Sequence, residues 1–388
     1  MDKCLDVCVN QNIAGDLCQE GKHFIYSYTK GLEADQFISL TMPVRVRDYV
    51  HDRLHPIFEM HLPEGYLLSV IKKHFAKLVA TDDFGILSLL SNSVRGRVHY
   101  RNKKVDASSS LSLDDLLYPE KSSLFDELIQ RFALQTPLSG VQPKVLARVL
   151  NKATLKLDDY IVKAWGSEYT ELALNEYWCM RAIQQAGIPV PEFYLSDNAL
   201  LFIMKRFDIS TNGQLLGFED MCVLQARGRD DKYIGSYEQL AKTIGNFVSP
   251  QYKASSYHQF FKMMVLNQRL QNGDAHLKNF GVLYEDSTRV RLAPAYDVVS
   301  TTAYIQKDLA ALTMMGSRKW WPRKHLIRFG IDACGLTLKQ ANTLYDECIE
   351  ALSIIAVELE GAMSLANNAD QEAILLHLFG LMKQAGTV

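Results

Sequence analysis

Asp274, Asn279 and Asp297 are residues whose types and order in this sequence could perform chemistry together. Asp274 and Asn279 lie five positions apart in Gly273-Asp274-Ala275-His276-Leu277-Lys278-Asn279-Phe280, and Asp297 follows eighteen positions later in Pro294-Ala295-Tyr296-Asp297-Val298-Val299-Ser300. Phosphoryl transfer needs a carboxylate to orient a hydroxyl, oxygen ligands for magnesium and a cation on the phosphates. Lys163, in Tyr160-Ile161-Val162-Lys163-Ala164-Trp165, is a candidate for the cation. Taken singly these features are common: an Asp and an Asn five apart arise by chance, and an Asp before Val-Val-Ser could cap a helix or end a strand.

The order of the surrounding elements makes chance a poor explanation. Two β-rich runs, Val145 to Leu150 and Tyr160 to Trp165, flank the turn-like Leu157-Asp158-Asp159 and predict adjacent strands. A helix is expected over Glu171 to Gln185, stopping at Gly187 before Pro189 and Pro191. The apolar run Leu200 to Met204 reads as a buried strand that ends in Lys205-Arg206-Phe207-Asp208. Beyond Tyr237 the pattern becomes helical over Tyr237 to Val248, His258 to Leu270, Leu338 to Leu359 and Asp370 to Ala385. One hairpin interrupts it, Phe280 to Tyr284 and Val290 to Leu292 around Glu285-Asp286-Ser287, and it lies between Asn279 and Asp297.

Length and composition bound the rest. A chain of 388 residues and 44.0 kDa exceeds the size of a single core, so two or three subdomains are expected. We place an N-terminal mixed subdomain at 1–110, a β-rich lobe at 111–209 and a helical lobe at 210–388, with a linker in Ala107 to Ser112 and a helix near Tyr66 to Leu78. Short alternating segments, His23 to Tyr28 and Arg97 to Tyr100, predict strands in the first part. The seven cysteines show no CxxC or zinc-like spacing and read as reduced thiols. With no apolar run of membrane length and no signal-peptide pattern, a cytoplasmic protein is expected. A formal net charge of -2 gives the chain no general attraction to nucleic acid.

Ser139-Gly140-Val141-Gln142-Pro143-Lys144, the Lys163 strand, Leu174 to Glu192, Met204 to Asp208, the Asp274 loop, the Asp297 segment and Ala311 to Lys324 together resemble the HipA family of serine/threonine kinase toxins. Phe58 to Gly65 and Asp82 to Gly96 resemble that family's N-terminal part. The resemblance implies an α+β, protein-kinase-like bilobal fold that uses ATP and Mg2+. It makes Asp274 the general base, Asn279 and Asp297 the metal ligands, and Lys163 the phosphate-binding lysine, the same Asp-to-Asn separation as in protein-kinase catalytic loops. Ser139, Gly140, Val141, Gln142 and Lys144 would cover the phosphates, with one glycine where ordinary kinases have three. Lys205, Arg206 and Phe207 would form the adenine-facing hinge, while His276, Lys278 and Tyr296 would line the nucleotide site. Glu176 is the chosen ion-pair partner of Lys163, with Glu171 as competitor.

The family often carries Ser-x-Ser before the glycine; here Pro137 replaces the first serine, and Ser139 is the expected autophosphorylation site. The implied partners are a HipB-like helix-turn-helix antitoxin, DNA only through that antitoxin, and a protein substrate of the aminoacyl-tRNA synthetase class. Alternatives are a phosphotransferase with a different acceptor, small molecules included, and a catalytically silent co-repressor that binds the antitoxin. Asp83-Phe84-Gly85 spells a kinase metal motif, but it precedes the lysine strand instead of following the catalytic loop, so it is rejected as a site. Arg318 to Lys324 reads as a solvated helix start with buried tryptophans, and the Met263-Met264 and Met314-Met315 pairs read as core.

Overall fold

The computed structural model describes residues 3–62, 82–91, 94–101, 144–151, 156–164 and 169–385. The expected helix near Tyr66 to Leu78, the linker at Ala107 to Ser112, and Ser139, Gly140, Val141 and Gln142 lie outside them.

The chain opens with three antiparallel strands, β1 (Lys3–Val9), β2 (Asn12–Glu20) and β3 (His23–Tyr28), followed by β4 (Tyr49–His51). Alternation in β1 buries Leu5, Val7 and Val9, and a register shift between Val7 and Cys8 turns Cys8 inward as well. A two-residue loop with Asn10 in left-handed backbone (φ 55°) closes the first hairpin. Among the described residues that follow are the short helices α1 (Pro56–Glu59) and α2 (Asp83–Leu90), then β5 (Val98–Tyr100). The sheet order is β4-β3-β2-β1-β5. Asp83-Phe84-Gly85 forms the first turn of α2, where the Asp82 side chain accepts from Gly85 N and Asp83 pairs with Arg229.

The expectation of seven reduced thiols is corrected here. Cys4 and Cys18 face each other directly across β1 and β2 and are joined in a disulfide, because cross-strand partners on one face bring their side chains together. The other five cysteines are buried and free.

Strands β6 (Lys144–Asn151) and β7 (Lys156–Ala164) pair antiparallel, with Lys144 opposite Lys163. The turn expected at Leu157-Asp158-Asp159 is corrected: all three belong to β7, opposite Leu150, Val149 and Arg148. Polar residue types misled because pairing with β6, and not local composition, decides strand membership here. Helix α3 (Leu172–Gln185) follows and ends at Gly187 (φ +71°), then β8 (Phe193–Leu195) and β9 (Leu201–Lys205), giving the sheet order β6-β7-β9-β8.

Next come β10 (Gly217–Asp220), α4 (Met221–Leu224), α5 (Tyr237–Phe247) and α6 (Pro250–Arg269). Helix α5 starts with a capping box between Ser236 and Gln239. Helix α6 begins eight residues before the expected His258; Pro250 sits in its first turn, and the polar stretch up to Tyr257 hid that start. It buries Phe260, Phe261, Met263, Met264, Val265 and Leu266. The expected hairpin is present as β11 (Gly281–Tyr284) and β12 (Val290–Leu292), in the sheet order β10-β11-β12. Three helices close the chain: α7 (Arg323–Cys334), α8 (Leu338–Met363) and α9 (Ala369–Gln384). Helix α8 packs on α3, α6, α7 and α9. Among the described residues no helix is long and apolar enough to cross a membrane.

By internal contacts the chain forms two compact units, neither contiguous: 1–164, 203–231 and 283–289 in one, 165–202, 232–282 and 290–388 in the other. Within the first, the buried Glu219 carboxylate is the polar junction. Its Oε1 accepts from Leu40 N and Tyr284 Oη, both at 2.7 Å, and its Oε2 accepts from Ser39 Oγ at 2.7 Å. Burial pushes this carboxyl up to about 7 from an ordinary 4.5, although the three donors and Arg97 pull it down. A raised folded-state value means the folded protein keeps a proton that the unfolded chain releases, so this stabilisation is complete below 4.5 and lost as pH rises through about 7. Unfolding by denaturant across that window should show wild type losing stability relative to Glu219→Gln, whose amide does not titrate. A constant difference between the two would refute this account of Glu219.

Candidate active site

The loop bearing Asp274 is built at the end of α6. Gln271 takes left-handed backbone (φ 52°), and its carbonyl accepts from Thr301 N at 3.3 Å and Thr301 Oγ1 at 3.2 Å. A chain of amides then carries the helix end to the loop. Asn267 Nδ2 donates to Met263 O at 2.8 Å, Asn272 Nδ2 to Asn267 Oδ1 at 2.7 Å, and Asp274 N to Asn272 Oδ1 at 3.0 Å. Gly273 N donates to Thr301 Oγ1 at 2.8 Å. A Cβ at Gly273 would come within 2.0 Å of Asp308 Oδ2 and 2.7 Å of Thr301 Oγ1, so a side chain before Asp274 would force Asp308 and Thr301 to shift.

The Asp274 side chain remains 39% exposed. Its Oδ1 accepts from Tyr233 Oη at 2.5 Å and stands 3.7 Å from His276 Nε2. His276 is buried, and that burial lowers its pKa to about 4, with Lys232 and Lys278 acting in the same direction and Asp274 and Asp297 opposing. The ring is therefore neutral at pH 7 and offers hydrogen bonds instead of charge. Its Nδ1 has no hydrogen-bond partner among the described residues, and the Tyr233 ring meets it edge-on at 5.0 Å.

Asn279 closes a 3-10 turn over Leu277–Asn279, and its Nδ2 donates to two main-chain carbonyls, Asp274 O at 2.9 Å and Asp297 O at 3.3 Å. One side chain thus joins the loop before the hairpin to the segment after it. With the amide nitrogen engaged twice, Oδ1 is the Asn279 atom suited to a cation. Asp297 has φ 60°, a left-handed conformation that aspartate tolerates better than most residues. Tyr296 Oη donates to Lys278 O at 2.7 Å, a second tie between the same segments. Downstream, Asn175 on α3 holds Ser300 through both main-chain groups: Ser300 N donates to Asn175 Oδ1 at 2.8 Å, and Asn175 Nδ2 to Ser300 O at 2.9 Å.

An oxygen pair of one amide and one carboxylate fits magnesium, which is bound by one or two carboxylates plus substrate phosphates and water. Among the described residues no group of three or more His, Cys, Asp or Glu could hold a metal ion, and magnesium shared with a phosphate needs none.

The remaining candidates fall in both units. Lys163 lies near the end of β7 and is buried; Glu176 on α3 is fully buried. The competitor Glu171 is engaged elsewhere, since its carboxylate accepts from Asn368 Nδ2 at 3.1 Å and Gln371 Nε2 at 3.3 Å. Lys205 ends β9, and Arg206 is fork-paired with Asp208 (Nε to Oδ1 at 2.8 Å, Nη2 to Oδ2 at 2.5 Å) while its Nη2 also donates to Arg95 O. Phe207 packs edge-on against Phe218. Lys144 opens β6. The basic cluster after Gly316 is solvated as expected, with Arg318, Lys319 and Lys324 exposed and Trp321 buried; Arg318 Nη2 donates to Tyr233 O at 2.5 Å, Trp320 Nε1 to Asp308 O at 3.1 Å, and Arg323 pairs with Asp346.

Two family descriptions match the chain. The HipA N-terminal domain covers residues 5–101, and the HipA-like C-terminal domain covers residues 136–354, more than half of the sequence. The chain belongs to the HipA family. Among relatives of this HipA-family chain, "Putative kinase Y4dM" of Sinorhizobium fredii is 27% identical over 68% of the chain and 66% of its own length. A "Putative kinase" of Haemophilus influenzae is 28% identical over 52% of the chain and 66% of its own length, so the chain spans just under two thirds of either relative. Its fold is similar to that in the solved Shewanella oneidensis toxin-antitoxin complex of HipA, HipB and operator DNA, with TM-score 0.68, 19% identity, and coverage of 98% of this chain and 97% of that one. The α+β, kinase-like fold expected from the sequence is therefore the fold of this chain.

Sequence patterns missed Tyr233, whose hydroxyl donates to the Asp274 carboxylate, and Asn175, Asn267, Asn272 and Thr301, which hold the HipA-family loop and its neighbouring segment in place. Tyr233 lies in Asp231-Lys232-Tyr233-Ile234-Gly235, where no periodicity marks it, and its link to Asp274 spans 41 positions. Gly273→Ala should destabilise the protein by about 1–3 kcal/mol, the usual cost of forcing atoms into packed space. Thermal or denaturant unfolding checks this, and wild-type stability in the variant would contradict the packing described at Gly273.

Proposed function

We propose that the chain is an ATP- and Mg2+-dependent serine/threonine protein kinase and the toxin of a toxin-antitoxin pair. The observation that carries this reading is the double hydrogen bond of Asn279 to the main chain at Asp274 and Asp297. It brings a half-exposed carboxylate and a candidate oxygen-ligand pair into one arrangement, the parts phosphoryl transfer requires.

In this reading Asp274 orients the acceptor hydroxyl and takes its proton. The hydroxyl oxygen bonds to the γ-phosphorus, the bond from that phosphorus to the β–γ bridging oxygen breaks, and ADP leaves. Asn279 Oδ1 and the Asp297 carboxylate hold magnesium, which offsets phosphate charge when bound. Lys163, paired with Glu176, contacts the phosphates, with Ser139, Gly140, Val141, Gln142 and Lys144 covering them. The backbone at Lys205, Arg206 and Phe207 meets the adenine; the engagement of the Arg206 side chain with Asp208 favours a main-chain role there. His276, Lys278 and Tyr296 shape the surrounding surface.

The family membership and the HipB-bound relative support a helix-turn-helix antitoxin as partner, with DNA contacted through it. The proposed acceptor is a protein of the aminoacyl-tRNA synthetase class, with Ser139 as the site of autophosphorylation in trans.

Incubation with γ-labelled ATP and a bacterial lysate tests this directly. Wild type should label protein, and Asp274→Asn and Asp297→Asn should each lower labelling by about 10²-fold or more, consistent with loss of a catalytic or charge-stabilising group. Asp297→Asn should also weaken Mg2+-dependent nucleotide binding more than Asp274→Asn, since it removes a ligand instead of a base. Mass spectrometry of the same samples should find phosphate on Ser139 in wild type alone. Equal labelling by all three folded proteins would overturn the proposal.

A further inference from the structure

Tyr233 is the described side chain that donates a hydrogen bond to the Asp274 carboxylate, at 2.5 Å, and the reading of Asp274 as base does not use it. In a phosphotransferase the acceptor hydroxyl makes that same donation before its oxygen attacks. We propose that Tyr233 is a guard for the acceptor position: its hydroxyl holds Asp274 until a substrate hydroxyl displaces it, and so keeps the base from activating water. The inference rests on the kinase reading above and adds a determinant of acceptor choice to it.

The need for such a residue follows from exposure. With its side chain 39% exposed, Asp274 meets solvent, and a water donating to it would be as well oriented as an alcohol. In that reaction the water oxygen bonds to the γ-phosphorus, its proton goes to Asp274, the bond to the bridging oxygen breaks, and ADP and phosphate leave. ATP is then consumed with no acceptor modified.

Tyr233 is held for this task by its backbone and by its ring. Lys232 O accepts from Leu277 N at 3.0 Å, Tyr233 O from Arg318 Nη2 at 2.5 Å, and Gly235 O from Thr313 N at 3.3 Å and Thr313 Oγ1 at 3.1 Å. Tyr237 Oη returns to the same loop by donating to Ala275 O at 3.1 Å. The His276 ring packs edge-on against the Tyr233 ring at 5.0 Å. The backbone is therefore anchored on both sides of Tyr233, while its hydroxyl makes to Asp274 the donation that an incoming hydroxyl would make in its place. Arg318, from the basic segment that the kinase reading left unassigned, is one of those anchors.

The test is Tyr233→Phe, which removes one oxygen and keeps the ring. With Mg2+ and ATP but no protein acceptor, release of phosphate should rise several-fold over wild type, and the ratio of phosphate released to phosphate on protein should rise in a lysate. Calorimetric affinity for Mg2+-ATP should stay within about twofold, because the substitution removes only the hydroxyl that donates to Asp274 and keeps the ring against His276. Asp274→Asn in the Tyr233→Phe background should abolish the added hydrolysis. Arg318→Gln, which loosens the anchored segment, should raise hydrolysis in the same direction and serves if Tyr233→Phe melts early. Hydrolysis and protein labelling falling together would overturn the guard role and make Tyr233 a positioning residue for Asp274, and unchanged hydrolysis would also overturn it. If wild type neither labels protein nor hydrolyses ATP, the kinase reading itself fails, a result distinguishable from both.

Discussion

The site depends on one amide nitrogen that binds two main-chain carbonyls. Asn279 Nδ2 reaches the carbonyl of Asp274 on its own loop and that of Asp297 beyond the β11–β12 hairpin. Carboxylates repel one another, so neighbouring positions for Asp274 and Asp297 cannot come from side-chain attraction. The backbone must hold them, and the asparagine does so through its amide nitrogen alone, which leaves its oxygen as an acceptor. The other polar contacts extend this constraint outward: Tyr296 ties the same two segments, Asn175 clamps Ser300, Thr301 binds Gln271 and Gly273, and the Asn267–Asn272 relay delivers the end of α6 to Asp274.

Such a site is built at a cost in local freedom. Gln271 and Asp297 both occupy left-handed backbone, and a side chain at Gly273 would displace Asp308 and Thr301. Conformations of this kind persist where surrounding contacts over-determine them. Here the buried body of α6 and the packing of α8 on α3, α6, α7 and α9 supply that support. The buried Glu219 follows the same logic in the other unit, where three donors make its burial tolerable.

Much of this was legible in the sequence because periodicity and turn chemistry are local signals. The hairpin around Glu285-Asp286-Ser287, the strand at Leu201–Lys205 and the helices starting at Tyr237 and Leu338 were recognisable from apolar patterning and turn residues. Where local signals conflicted with tertiary pairing they failed: Leu157-Asp158-Asp159 looks like a turn and is paired strand, and the polar first turns of α6 hid its start at Pro250. Cys4 and Cys18 became partners through cross-strand register, which spacing along the chain does not reveal. The spacing of Asp274, Asn279 and Asp297 was visible, but Tyr233, Asn175 and Thr301 were not, because single side chains that bond to distant backbone leave no periodic trace.

The central claim is that Asn279 and Asp297 form one oxygen-ligand pair for a divalent cation shared with nucleotide phosphate. The most direct measurement is a crystal structure of the chain with a non-hydrolysable ATP analogue and Mn2+, in which anomalous scattering locates the ion. The account predicts an anomalous peak about 2.0–2.3 Å from both Asn279 Oδ1 and the Asp297 carboxylate, the range of first-row and magnesium-like oxygen contacts. A nucleotide-bound crystal whose manganese contacts neither residue would contradict it.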